Sequence, residues 1–242
     1  MYSSFYAAAV GAMGQQAKLD VVSNNLANIN TAGYKAKVGA FQDLMYYNLN
    51  NFRGDETSIQ AGTGIRLEKA DTNFNPVGFE ITEREYDFAI RTEGFFMLQN
   101  PANGEITYTR NGRFSLSQRG DEFYLVNDSG KLVLDRNQNP IRLTGNVSEG
   151  EEPGLSAQPA VYDFRIKNGM QNVGDNEYMP VEKNGEPVLT EELALQRALE
   201  MSGTDLAMDL VRMIESQRAF SYALKMVQTS DEVVQTVNGL RA

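Results

Sequence analysis

Acid-base chemistry in this chain would have to run on carboxylates. The sequence contains no histidine and no cysteine, which removes thiol nucleophiles, Ser-His-Asp triads, imidazole bases and nearly every zinc site together. What remains are acid pairs: Glu83 with Glu85, Glu151 with Glu152 and Glu191 with Glu192, any of which could supply the two carboxyls of glycoside hydrolysis. None sits in a motif that adds a positioned partner, and adjacent acids in a chain of net charge −10 read as solvated surface. Gly62-Thr63-Gly64 lacks the Lys-Ser/Thr that completes a phosphate-binding loop, so it reads as a turn. The expectation is no catalytic residue, no metal site and no cofactor.

A different chemistry, hydrogen bonding by amides, is concentrated in the stretch from Ser23 to Lys35. Asn24, Asn25, Asn28 and Asn30 crowd together there, and their side chains can satisfy carbonyls freed at a helix end or bond to another chain. Gly33 reads as the left-handed cap of that helix. The absence of cysteine tolerates any redox compartment, export included.

These groups must be positioned by the two ends of the chain. Phe5, Ala9, Ala12, Gln16, Leu19, Ser23 and Leu26 follow at alternating steps of four and three, the seam of a coiled-coil-like helix with Ser3 or Ser4 as its cap. Gly11 and Gly14 each cost about 1 kcal/mol there, so this helix is expected to be only partly formed until a neighbour buries it. At the other end Leu206, Leu210, Met213, Gln217, Phe220, Leu224, Val227, Asp231, Val234, Asn238 and Arg241 repeat the pattern. Thr204 and Asp205 can start that helix and Gly239 can stop it. A helix of this extent is roughly 50 Å long, too long for one small domain to cover. Both ends therefore call for helical partners, and the polar seam positions Gln16, Gln217 and Asp231 favour one register at some cost in stability.

Between the ends the period changes. With 41% hydrophobic and 10% aromatic residues there is material for a core. Residues 41–85 carry Asn48, Asn50, Asn51, Gly54, Asp55, Gly62 and Gly64 and read as a connecting region, with Ile65 and Leu67 alternating like a strand start. From Tyr86 to Leu143 the pairs Phe88 and Ile90, Phe96 and Leu98, Ile106 and Tyr108, Phe114 and Leu116, and Leu132 and Leu134 put apolar groups on one face of short strands. Asn111-Gly112 predicts a type I′ hairpin and Asn127-Asp128-Ser129-Gly130 a second turn. Residues 146–160 read as an acidic loop, Val161 to Met179 as returning strands, and Leu189 to Glu200 as a short link to the last helix. Residues 1–40 hold three Lys and one Asp and residues 202–242 four basic and five acidic groups, so the middle carries −11. Without a basic stripe, nucleic-acid binding is not expected. Neither a cleaved leader nor a span of about 20 apolar residues is read, so no membrane insertion is expected.

Asn24-Asn25-Leu26-Ala27-Asn28, preceded by Leu19-Asp20-Val21-Val22-Ser23 and followed by Thr31, Gly33, Tyr34 and Lys35, resembles the N-terminal signature of the bacterial flagellar rod and hook protein family. The stretch from Asp205 to Leu210, then Met213-Ile214, Gln217-Arg218-Ala219-Phe220 and Gln228-Thr229-Ser230-Asp231-Glu232, is similar to the family's C-terminal motif. Glu93-Gly94-Phe95-Phe96 with Tyr108-Thr109-Arg110-Asn111-Gly112 and Phe114 resembles its central block, so the resemblance covers nearly the whole chain. The short length and Ala40 to Tyr46 are more like the rod subunits, distal or proximal, than the hook.

The resemblance implies an α+β fold. In it, residues 1–40 and 202–242 form a discontinuous axial domain of long helices packed together, and residues 86–201 form a central, mostly antiparallel β domain outside it. It implies a non-enzymatic, torque-transmitting subunit in the flagellar basal body, delivered by the flagellar export apparatus. The expected partners are further copies in a helical polymer and the neighbouring rod and hook subunits. The assembly interface is expected to comprise Leu19, Val22, Asn24, Asn25, Leu26, Asn28, Gly33 and Tyr34 from the N-terminal end. From the C-terminal helix it takes Leu206, Leu210, Met213, Ile214, Gln217, Arg218, Phe220, Leu224 and Val227. A hook or hook-associated protein is the nearer alternative, and a secreted monomeric adhesin or wall-binding module the more distant one.

Overall fold

Both terminal heptad patterns form helices. In the computed structural model, which describes residues 2–44, 46–48, 60–144 and 154–240, α1 spans Tyr2–Ala27 and α2 spans Leu206–Gly239. Asp205 is the N-cap of α2: its backbone is extended and its carboxylate accepts the Met208 N–H at 3.1 Å, satisfying one of the orphan donors of the first turn. At 34 residues α2 is roughly 50 Å long. Because α1 already begins at Tyr2, Ser3 and Ser4 lie inside it and not ahead of it. It ends at Ala27, so Gly33 is not its cap. Arg241, the last position of the expected seam, lies outside the described residues, as do Asn50, Asn51, Gly54, Asp55, Glu151 and Glu152.

The chain divides into two units. One gathers Met1–Ala27, Lys37–Asp71 and Asp205–Ala242. In it α1 and α2 pack on each other, strand Lys37–Asp43 pairs with Ile65–Thr72, and Tyr46–Asn48 pairs antiparallel with Gln60–Gly62. The Ser202 hydroxyl donates to the Asn28 carbonyl at 2.9 Å, just outside both helices. Gly14 has a packing reason to be glycine, since a Cβ there would lie 2.9 Å from Ile65 Cγ1. Asn25 fastens the first strand to α1: its Nδ2 donates to the Lys37 carbonyl and its Oδ1 accepts the Lys37 N–H, both at 2.9 Å. The amide thus imitates a strand neighbour.

The other unit comprises Asn28–Ala36 and Thr72–Thr204. Its nine-stranded sheet runs, in spatial order, Gln171–Gly174, Glu177–Met179, Ile106–Thr109, Phe95–Gln99, Leu132–Val133, Glu122–Val126 and Ser115–Arg119. Val161–Asp163 pairs with both Phe95–Gln99 and Val188–Leu189. The pairings are antiparallel, so the molecule is α+β with returning strands where the sequence placed them. Alternation identified only half of this core. Phe96 and Leu98 pack with Phe88, Phe114 and Leu125 on one face, but Phe95 and Met97 are equally buried on the other, with Tyr108, Phe164 and Tyr178. A strand covered on both faces reads as a continuous apolar run and hides its period.

Two local expectations fail for identifiable reasons. No hairpin closes across Asn111-Gly112: Ile106–Thr109 pairs with Phe95–Gln99 and Glu177–Met179, while Ser115–Arg119 pairs with Glu122–Val126. Gly112 is there for close approach. Its carbonyl accepts the Phe88 N–H at 3.0 Å, and a Cβ would fall 1.6 Å from the Phe88 carbonyl oxygen. Asn111 Oδ1 accepts the Arg113 N–H, an Asx turn that mimics the dipeptide of a hairpin. By contrast the turn at Asn127 to Gly130 forms, closed by Gly130 N–H to the Asn127 carbonyl at 3.0 Å, and Val126 faces Leu132. The stretch from Leu189 to Glu200 is more than a link, because Leu195–Gln196 pairs with Phe88–Ala89, and Ala198–Glu200 is a buried strand against Phe79–Ile81.

Candidate assembly surfaces

α2 is apolar on more than one face, and its own chain covers one of them. Besides Arg212, the buried or half-buried positions are Asp209, Met213, Ser216, Ala219, Phe220, Ala223, Val227, Ser230 and Val234, a row at helical spacing on the helix that packs on α1. The small residues Ser216, Ala219, Ala223 and Ser230 let the two backbones come close. The seam read from the sequence divides across this boundary. Met213, Phe220 and Val227 lie on the half-buried side, whereas Leu206, Leu210, Gln217 and Leu224 are exposed, Leu210 at 37% and Leu224 at 42%. A further row that the heptad template passed over, Val211, Ile214, Tyr222, Met226, Val233 and Val237, is open to solvent. Arg218 is exposed beside it.

α1 shows the same division on a smaller scale. Val22 is buried, Leu19 and Leu26 are half-buried, and Asn24 is exposed, as are Tyr6 and Met13. Asn25 is buried and its amide is engaged with Lys37 inside the chain. Asn28 likewise turns inward, its Oδ1 accepting from the Thr31 hydroxyl at 3.2 Å.

Gly33 and Tyr34 belong to a polar knot inside the sheet unit. Gly33 has φ +64°, its N–H donates to the Glu200 carbonyl at 2.8 Å, and a Cβ would lie 2.4 Å from the Arg110 carbonyl oxygen. Glycine is thus required there for both conformation and space. Beside it Lys35 Nζ meets Glu200 Oε1 at 2.8 Å and the Asn75 carbonyl at 2.7 Å. Arg110 grips the same carboxylate with two nitrogens at 2.8 and 2.9 Å. Its remaining nitrogen donates to the carbonyls of Thr92 and Gly94. The Val77 N–H donates to Glu200 as well, at 3.2 Å. All three charged side chains are almost fully buried. Burial, seconded by the Arg110 charge, pushes the Lys35 ammonium down from its ordinary range against the pull of Glu200. Sequence reading missed this trio. No local pattern marks it, since Lys37, Arg113 and Arg197 stand within three positions of its members and are not buried.

A second buried cluster ties the sheet across its strands. Glu177 accepts from Thr107, Asn127 and Ser129 at 2.7 to 2.8 Å and pairs with Lys131. Burial alone would push its carboxyl up, but the hydrogen bonds from Lys131, Ser129, Thr107 and Asn127 together hold it below its ordinary value.

The Glu200 and Glu177 side chains at the centre of the two clusters are buried, whereas the described acid pairs lie on the surface. Glu83, Glu85, Glu191 and Glu192 are exposed, Glu85 pairing with exposed Arg197 and Glu192 accepting from Thr92. Among the described residues no cluster of acids could hold a metal ion, and no helix is long and apolar enough to cross a membrane.

Comparison with known proteins accounts for both ends and the middle. Residues 5–35 match the family model described as flagella basal body rod protein. Residues 89–173 match that of the flagellar hook protein FlgE/F/G D1 domain, and residues 195–240 that of the flagellar basal body rod FlgEFG protein C-terminal region. The flagellar basal-body rod protein FlgG of Buchnera aphidicola subsp. Schizaphis graminum is 31% identical, over 99% of this chain and 100% of its own length. FlgG of Bacillus subtilis is 30% identical over the full length of both. The flagellar basal-body rod protein FlgF of Caulobacter vibrioides is 30% identical over 96% of this chain and 95% of its own.

Proposed function

Since the chain belongs to the flagellar basal-body rod protein family, we propose that it enters the rod by packing the uncovered faces of α1 and α2 against further copies of itself. It is a structural subunit of the flagellar basal body, assembled with other rod and hook subunits, and not an enzyme. The observation that carries the packing proposal is α2 itself, a helix of roughly 50 Å clothed by its own chain on one face and elsewhere carrying exposed apolar side chains among its charged and amide groups. Exposed apolar rows of that length are the mark of a surface awaiting a partner.

In this reading the axial part of the subunit is residues 1–40 and 202–242, with 41–85 as connection and 86–201 outside. Leu206, Leu210, Ile214 and Leu224 supply apolar contact to neighbouring copies, while Leu19, Val22, Leu26, Met213, Phe220 and Val227, buried or half-buried in the single chain, serve the coiled-coil-like packing of the subunit's own helices. Asn24, Gln217 and Arg218 supply polar register. Asn25 acts from inside the subunit by fastening the first strand to α1, and Asn28, Gly33 and Tyr34 by holding the segment that follows α1 to residues 200–203. Contacts between unlike surfaces whose rotation does not close into a ring yield, on repetition, a helical polymer. The export apparatus delivers the chain.

Leu210→Asp and Leu224→Asp test the reading cleanly, because both side chains are exposed in the single chain. A charge there leaves monomer folding nearly unchanged, within about 0.5 kcal/mol, but burial in a polymer would expel it. The expected result is a folded monomer, normal sheet melting and loss of motility. A fully motile strain carrying either change counts against the reading.

A further inference from the structure

The two segments by which the chain enters and leaves the sheet unit are sewn directly to each other. Gly33 N–H donates to the Glu200 carbonyl and Gly203 N–H to the Tyr34 carbonyl, both at 2.8 Å, and the Ser202 hydroxyl donates to the Asn28 carbonyl. The carboxylate of Glu200, on the leaving segment, then gathers Lys35 from the entering segment and Arg110 from the sheet. Arg110 carries the connection on to the backbone at Thr92 and Gly94.

A buried ion cluster adds little net stability, because desolvating three charges offsets most of their attraction. What it supplies is geometry. The planar fork of Arg110 and the single ammonium of Lys35 satisfy one carboxylate in one arrangement, and any slip of one segment against the other leaves a charge buried alone. We propose that Lys35, Arg110 and Glu200 are positioning residues: they hold the entering segment at Gly33–Lys35 and the leaving segment at Glu200–Gly203 in one register, and rod assembly depends on that register. Their role in assembly rests on the reading given above, whereas the tying of the segments does not.

The test uses the full-length chain with Lys35→Met, Arg110→Met and Glu200→Met combined, so that no charge is stranded. Amide hydrogen exchange and motility are then read together. The sheet should still unfold cooperatively, while exchange at Gly33 and Gly203 speeds by about tenfold or more relative to Phe96 and Met97, and rod assembly is lost. Unchanged relative exchange at Gly33 and Gly203 overturns the proposal. Faster exchange with normal motility also overturns it, yet leaves the assembly reading standing, since that reading is decided by Leu224→Asp. Should the triple variant not fold, Arg110→Lys decides by the same two readouts. It keeps the charge and loses the fork.

Discussion

The sheet unit and the helical unit treat their surfaces in opposite ways. In the sheet unit, apolar side chains are buried on both faces of one strand, and its buried charges Lys35, Arg110, Glu200 and Glu177 all have partners. In the helical unit the longest element leaves Leu206, Val211, Ile214, Tyr222, Met226 and Val237 in water. The difference teaches where each unit finds its stability. The sheet carries its own, and under the packing proposed above the helices gain from other molecules what their contact with each other leaves uncovered.

The contrast can be broken most forcefully from the sheet side. Phe96 is fully buried and packs edge-on against Phe114 with ring centres 5.3 Å apart. Phe96→Ala should destabilise the sheet unit by about 3–5 kcal/mol in urea unfolding. A loss under about 1 kcal/mol would mean the core is not as closed as described.

Acid should weaken the same unit next. The Glu177 carboxyl is held below its ordinary value by its donors, so its contribution is complete above the unfolded-state glutamate range. It disappears as pH falls through the lowered native value. Urea midpoints followed from about pH 6 to about pH 3 should decline, and the decline should be shallower in Glu177→Gln.

On the helical side the effects on the single chain are small. At Gly11 an added Cβ meets nothing within 4 Å, so Gly11→Ala should stabilise the helical unit by up to about 1 kcal/mol by circular dichroism melting. If the same change impairs motility, a neighbouring molecule packs closely there. Smallest of all, Met226→Asp, at a side chain 56% exposed, should alter monomer stability by no more than about 0.5 kcal/mol. Sedimentation of assembled material should nevertheless reveal a loss, which would sharpen the comparison, and undisturbed assembly would blunt it.

Both helices were legible because a period of three and four survives every local perturbation. The heptad template nonetheless chose one row from a helix that is apolar on several, so it mixed covered Met213 and Phe220 with open Leu206 and Leu224. Alternation found Phe96 and Leu98 but could not register Phe95 and Met97, whose burial on the opposite face erases the alternation. Asn111-Gly112 misled because a dipeptide suited to a tight turn also suits a close crossing, and only the neighbour Phe88 distinguishes the two. The knot at Glu200 was the least legible feature. Its partners stand 90 and 165 positions away in sequence, and nothing local distinguishes a charge destined for such a meeting from one destined for water.

That separation has a kinetic consequence. A chain made from its amino end presents Lys35 early and Arg110 later, but Glu200 only just before α2 is made. Until then the two cations have no counterion, and the strand at Ala198–Glu200 that would seal Phe79–Ile81 is absent. The sheet unit is therefore a late-closing body, whose last strand and last counterion arrive together at Glu200.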